Sequence, residues 1–272
     1  MKRKTLGGIV AAGLLAGLLP ALVPAAQATG STVPGAGGKL KLCQAGQHIH
    51  VDGPWGRYVL KNNDFYPHAA PICITHYRTG PDFAVTSSRA NAQGSESDAY
   101  PNIFAGCSYN TCAHHTGLPA RVFSMNHPWI SYYAKMKNRG KYDANVDMWL
   151  SRHKQKTGIV TGAEVMIWMK THRFGEPAAN VKVDGIHWHL VHWTTRSLTD
   201  PSITWPLIIF RAVPARGYVH RLPILPFLKV LKHLGLVHKG YWLDSVHAGF
   251  EIWDGGKGMR LQWFRFGQGH HR

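Results

Sequence analysis

Ala163-Glu164-Val165-Met166-Ile167-Trp168-Met169 sets six apolar residues around a single carboxylate. The run is short and rich in β-branched and aromatic residues, which favours a strand over a helix. Alternation along a strand puts Glu164, Met166 and Trp168 on one face, and Val165, Ile167 and Met169 on the other. An ionised carboxylate is costly to bury, so Glu164 requires a partner, a raised pKa or a water-filled cleft. Near the other end of the chain, Gly249-Phe250-Glu251-Ile252-Trp253 repeats the pattern, with Glu251 and Trp253 sharing a face. The chain contains four glutamates, Glu96, Glu164, Glu176 and Glu251, and two of them sit mid-strand beside a same-face Trp. That is the footprint of a carboxylate pair lining a sugar-binding groove.

Residues 1–28 read as a secretory signal. Lys2-Arg3-Lys4 is the positive region, Leu6 to Leu22 the apolar core, and Ala26-Gln27-Ala28 a small-residue cleavage site. Pro20 and Pro24 interrupt the apolar stretch and no basic cluster follows it, which argues against a membrane anchor. The exported protein is expected to be extracellular and free of the membrane after cleavage. Residues 29–38 form a Gly/Pro-rich flexible leader, and 39–272 are expected to be one all-β domain with a large core. Four cysteines in an exported chain point to two disulfides, for which three connectivities exist. Cys107 and Cys112 are close enough for a local staple. Cys43 would then pair with Cys73, a loop closure worth roughly 3–4 kcal/mol on the chain-entropy account.

The net charge is +17, but the Lys and Arg residues are scattered and no nucleic-acid motif accompanies them. A basic surface suited to acid conditions or an acidic polymer matrix is the simpler reading. Histidine is abundant, 18 in all, and His187-Trp188-His189 with His192 invites a metal reading. On a strand His187 and His189 share a face while His192 points the other way, and no acidic residue in the run completes a ligand set. These histidines are expected to be exposed strand residues, with no metal and no cofactor.

From Lys39 onward, short alternating runs are separated by turn residues. Strands are expected at Arg57–Leu60, Ala70–His76, Phe83–Ser87, Val146–Leu150, Val165–Met169, Ile186–His192, Trp205–Ala212, Ser245–Trp253 and Leu261–Phe266. Asp52-Gly53, Asn138-Arg139-Gly140, Asp184-Gly185 and Asp254-Gly255-Gly256 read as turns. One helix is expected, with Pro226 in its first turn, Leu228, Leu231 and Leu234 as its apolar stripe and Gly235 at its end. Many strands and one helix imply a sandwich of two sheets.

Five landmarks then occur in order: Asn62-Asn63, Tyr100-Pro101-Asn102-Ile103-Phe104-Ala105-Gly106-Cys107, Asp147-Met148-Trp149-Leu150, Glu164-Val165-Met166-Ile167-Trp168, and Gly249-Phe250-Glu251-Ile252-Trp253-Asp254-Gly255-Gly256. On these the chain, from about Leu42 to Phe266, resembles the family 12 glycoside hydrolases, secreted endo-acting enzymes that cut β-1,4-glucans. The cysteine positions also look like those of its bacterial members. The resemblance implies a β-jelly roll of two curved antiparallel sheets, a groove across one of them, and a retaining mechanism. Glu164 matches the nucleophile, Glu251 the general acid/base, and Asp147 a carboxylate that hydrogen-bonds the nucleophile. Asn63, Met166, Trp168 and Pro177 fall where the family contacts sugar. Phe65 stands where the family commonly has Trp, a smaller platform for a distal sugar. The loop after the nucleophile strand usually continues Pro-Ile-Gly; here Pro177 is kept but leads into Ala178-Ala179-Asn180.

A retaining glycosidase needs two carboxyls about 5–5.5 Å apart whose environments separate their pKa values. Asp147 could hold a shared proton and leave Glu164 ionised, while burial and the charge of Glu164 would keep Glu251 protonated. Gly175 and Pro177 place Glu176 in a loop, away from such work. The expected partner is a β-glucan such as a cellulose derivative, mixed-linkage glucan or xyloglucan, bound by a monomer without nucleic acid. Two alternatives share these features: a glucan transglycosylase using the same intermediate, and a non-catalytic glucan-binding sandwich. The second would not require two mid-strand cleft glutamates.

Overall fold

The computed structural model describes residues 38–269 except 67, 69, 79, 95, 137–138, 173–178 and 197–199. The signal segment, nearly all of the leader, Asn138, Glu176 and Pro177 lie outside the described residues. Among the described residues no helix is long and apolar enough to cross a membrane.

Two sheets pack face to face. One has six strands, in spatial order Leu40–Leu42, Ile72–His76, Phe83–Ser88, Arg260–Gly267, Trp129–Lys135 and Tyr218–Pro223. The larger sheet follows the path Ala179–Val183, Ile186–Arg196, Thr204–Val213, Ala163–His172, Gly140–Ser151, Trp242–Gly255, Asn102–Ser108, Gly56–Lys61 and His48–Gly53. Alternate residues of both sheets, among them Val146, Met148, Val165, Ile167, Phe250, Ile130, Phe264 and Phe266, meet in one buried core. The nine expected strands are all present, most of them longer than their apolar runs suggested.

Several features depart from the expectations. Among the described residues the sheets are antiparallel except where Ala163–His172 pairs in parallel with Thr204–Val213. After His172 the chain forms the hairpin of Ala179–Val183 and Ile186–Arg196 at the sheet edge, then returns inward beside the strand it left. Asn102–Ser108 is a strand buried at all seven positions, so it carries no polar alternation by which to recognise it. In the helix Leu225–His233, Phe227, Leu228 and Leu231 face the core, whereas Leu234 caps the end and is 50% exposed. Gly235 follows it with φ +74°, the left-handed conformation in which helices commonly stop.

The turn residues divide by role. Asp184 and Gly185, at φ +50° and +76°, close the hairpin in which Val183 pairs with Ile186. At the other hairpin Asp52 and Gly53 are paired with Arg57 and Gly56, which leaves Pro54 and Trp55 as the turn itself. Gly255 and Gly256 lead the chain from one sheet into the other. The disulfides Cys43–Cys73 and Cys107–Cys112 both form, as the spacing suggested.

The helix seals one end of the core through Phe227, whose ring lies edge-on to Trp188 at 4.9 Å and to Phe210 at 5.0 Å. Phe227→Ala should therefore cost about 3–5 kcal/mol, read as a lowered denaturant midpoint at unchanged slope. A loss below about 1 kcal/mol would mean that the helix does not seal the core.

Candidate active site

Three neighbouring strands, Ala163–His172, Gly140–Ser151 and Trp242–Gly255, build the site. Across the first pair Glu164 faces Trp149, Met166 faces Asp147, and Trp168 faces Asn145. Across the second, Asp147 faces His247, Asn145 faces Gly249, and Asp143 faces Glu251. Val165, Ile167 and Met169 enter the core, so Glu164, Met166 and Trp168 share the sheet's open face as the alternation requires. The register shifts by one residue between Ala144 and Asn145, a bulge of the kind that re-aims side chains beside functional sites.

Glu164 is partly buried, and the Trp205 indole donates to its Oε2 at 2.8 Å. Burial pushes its pKa up to about 7, opposed by the indole bond and reinforced by the charge of Glu251. Asp147 is buried; its Oδ2 accepts from the Trp149 indole at 2.6 Å, and its Oδ1 has no hydrogen-bond donor. Burial first, then the charge of Glu164, raise Asp147 well above the usual carboxylate range. The resemblance implies a bond from Asp147 to the nucleophile, whereas here each carboxylate takes a tryptophan of its own. The orphaned Oδ1 beside an acidic neighbour is where a proton on Asp147 would sit. Burial also raises Glu251, while hydrogen bonds with Asp143 and Ser97 pull it down.

The face between these groups is apolar and aromatic. His247, fully buried, stacks between Phe104 at 4.8 Å and Trp149 at 4.7 Å, with Nε2 on the Ser245 hydroxyl at 2.8 Å. Burial lowers its pKa to about 3, so it is a neutral ring at working pH. Met166 and Trp168 pack with Ile209 as a small apolar floor, Trp168 being 8% exposed. Asn63 is partly buried and its carbonyl accepts from the Tyr100 amide at 2.8 Å. Phe65 is 40% exposed, available for stacking and not part of the core. Pro177 is outside the described residues.

Several participants carried no recognisable signal in the sequence. Trp205 reaches Glu164 only because its strand pairs in parallel beside it, Leu207 facing Glu164. Trp193 faces Leu207 across the next pair and is 48% exposed on the same side of the sheet. Tyr109, 40% exposed, stands edge-on to Trp149 at 5.4 Å and senses the charges of Glu164 and Asp147. Asp143 escaped notice because nothing in Lys141-Tyr142-Asp143-Ala144-Asn145 distinguishes it from a surface strand residue. As for the histidine run, His187 and His192 are exposed, and His189 lies 3.3 Å from the Arg211 guanidinium. Among the described residues no group of His, Cys, Asp and Glu is placed to hold a metal ion.

Residues 56–266 match the family model described as glycosyl hydrolase family 12. Among solved structures, the chain is similar to a metagenome-derived glycoside hydrolase family 12 endoglucanase, at 26% identity and TM-score 0.72, covering 84% of this chain and 97% of that one. An endoglucanase from Rhodothermus marinus gives 26% identity and TM-score 0.72 over 84% and 98% of the two chains. The fold is shared with a family 12 xyloglucanase from Bacillus licheniformis solved with a ligand, at 17% identity, TM-score 0.72, and 84% and 99% coverage. No curated protein matches the sequence.

A raised carboxyl pKa means that ionising Glu164 opposes folding. Its favourable contribution is present below its ordinary value near 4.5 and is lost as pH rises through about 7. Glu164→Gln keeps an acceptor for Trp205 and removes that charge. The variant should gain up to about 3 kcal/mol of stability at pH 8 and almost none at pH 4, measured as urea midpoints. A variant less stable than the parent at pH 8 would contradict the assignment.

Proposed function

The chain belongs to glycosyl hydrolase family 12, and we propose that it is an exported, retaining, endo-acting hydrolase of β-1,4-glucans. Glycoside hydrolysis of a glucan is the activity common to the family's endoglucanases and xyloglucanases. The observation that carries the finer reading is the pair Glu164 and Glu251, on strands flanking Gly140–Ser151, each on the open face, with Glu164 sensing the charge of Glu251. The two disulfides and the signal-like first 28 residues support export to an oxidising compartment.

In this mechanism the Glu164 carboxylate attacks the anomeric carbon as Glu251 protonates the departing glycosidic oxygen. The Trp205 indole holds the attacking carboxylate in one orientation, and a protonated Asp147 spares it a second negative charge nearby. Forming the ester consumes the charge on Glu164, which lowers the affinity of Glu251 for a proton. Glu251 then takes a proton from water as that water displaces Glu164, restoring both groups. Two inversions at one carbon leave the β configuration of the polymer in the product.

The exposed rings of Trp193, Phe65 and Tyr109 are suited to stack on sugar faces along the groove. A glucan chain is the substrate class that such platforms and an apolar floor fit, with decorated xyloglucan and unbranched glucans as the two cases to compare.

Proton NMR of oligosaccharide freshly released from barley glucan should show the β anomer first, before mutarotation. An α signal appearing first would remove the nucleophile role of Glu164. In parallel, Glu251→Ala should lose polymer hydrolysis by about 10²–10⁴-fold, the usual worth of a general acid, yet retain the first step on activated aryl glycosides. Near-parental hydrolysis of polymer by that variant would exclude Glu251 as the acid.

A further inference from the structure

Asp143 is a fully buried carboxyl on the strand next to Glu251, directly opposite it in register. Its Oδ1 accepts from the Asn145 side-chain amide at 2.5 Å, and the Asn145 carbonyl oxygen accepts from the Tyr100 hydroxyl at 2.6 Å. Its Oδ2 is buried with no donor to satisfy it, while its carboxyl and that of Glu251 are in hydrogen-bond contact. Two carboxyl oxygens in contact repel unless a proton lies between them. A buried, unsatisfied oxygen is costly, so a proton at this contact resolves both penalties at once.

We propose that Asp143 is a positioning residue that shares a proton with Glu251 and so sets the upper pH limit at which Glu251 works as an acid; the proposal rests on the acid/base role given above. The pair titrates as a unit. With two protons, Glu251 can protonate the leaving oxygen, and the proton left on Asp143 then hydrogen-bonds the new Glu251 carboxylate. With one proton, donation would leave two facing carboxylates, and the step becomes much harder. The pair must therefore be fully protonated while Glu164 is ionised, which confines activity to the interval above the ionisation of Glu164 and below the first ionisation of the pair.

The other groups facing the pair reinforce this assignment. Asp147 and Glu164 lie on the same open face and add negative charge when ionised. The phenols of Tyr100 and Tyr132, both driven far up by burial, stay neutral. Ser97 donates to Glu251, Asp98 turns its carboxylate to the Asn91 amide, and Lys141 lies over the Trp253 ring at 5.6 Å. Burial and the charge of Glu251 both hold the Asp143 proton in place.

The test compares the kcat/KM pH profile of the full-length enzyme and Asp143→Asn on barley glucan. An asparagine amide donates to Glu251 at every pH, so the alkaline limb should move up by about one pH unit or more, the coupling that defines such a pair. A folded, active variant with an unmoved limb overturns the proposal. Should the variant fold poorly, carbon-13 carboxyl titration of the parent decides: Asp143 and Glu251 should each show two linked steps, and independent single steps overturn it. Turnover persisting in Glu251→Gln would instead defeat the acid/base reading, and with it the catalytic consequence proposed for Asp143, while that same titration reports the shared proton separately.

Discussion

Four carboxyl groups, Asp143, Asp147, Glu164 and Glu251, crowd one face of three adjacent strands, the two aspartates fully buried and the two glutamates partly so. Concentrating negative charge in a poorly solvated place is unfavourable, and the neighbourhood is arranged to contain the cost. Indoles of Trp205 and Trp149 donate to Glu164 and Asp147, Ser97 donates to Glu251, and Asn145 donates to Asp143. None of these donors carries a formal charge. The carboxyls are consequently steadied without being ionised outright, and all are displaced upward. A lysine or arginine in their place would have fixed them as permanent carboxylates, unable to hold or release a proton near neutral pH.

The remainder of the fold makes that crowding tolerable. The site floor is a single layer of strands whose other face is anchored in the main core by Val146, Met148, Val165, Ile167 and Phe250. Each of these carboxyl side chains therefore alternates with a residue locked in close packing, which limits how far it can move to relieve repulsion. His247 contributes bulk without charge, because burial between Phe104 and Trp149 keeps its imidazole neutral. The parallel pairing has a specific effect: it brings Thr204–Val213 beside Ala163–His172, and with it Trp205 and the neighbouring hairpin strand that carries Trp193.

Stability and activity draw on the same groups with opposite sign. Raised carboxyl pKa values favour folding in acid, whereas the lowered value of His247 favours it above the ordinary histidine range. Between those two ranges the tendencies oppose each other. Ionising Glu164, which the proposed chemistry requires, is the change that the folded state resists, a local stability cost typical of functional sites.

The sequence alone determined what local pattern can carry. Alternation identified nine strands, placed Glu164 and Met166 on one face, and marked Glu251 as its counterpart, since a lone carboxylate in an apolar run is retained only where its burial serves some purpose. Proline and glycine bracketed the helix Leu225–His233. Cysteine spacing was enough for the pairing, because one pair was short and left a single alternative. What the sequence could not supply were relations between segments far apart in the chain. Leu234 continued an apolar stripe by spacing, yet the core ends before it. Asn102–Ser108 showed no alternation because both of its faces are covered. Trp205 and Asp143 look ordinary in their own segments and meet Glu164 and Glu251 only across strand pairs, one parallel and one antiparallel. Strand register is set by the packing of whole sheets, so only the tertiary structure could decide which carboxyl meets which donor.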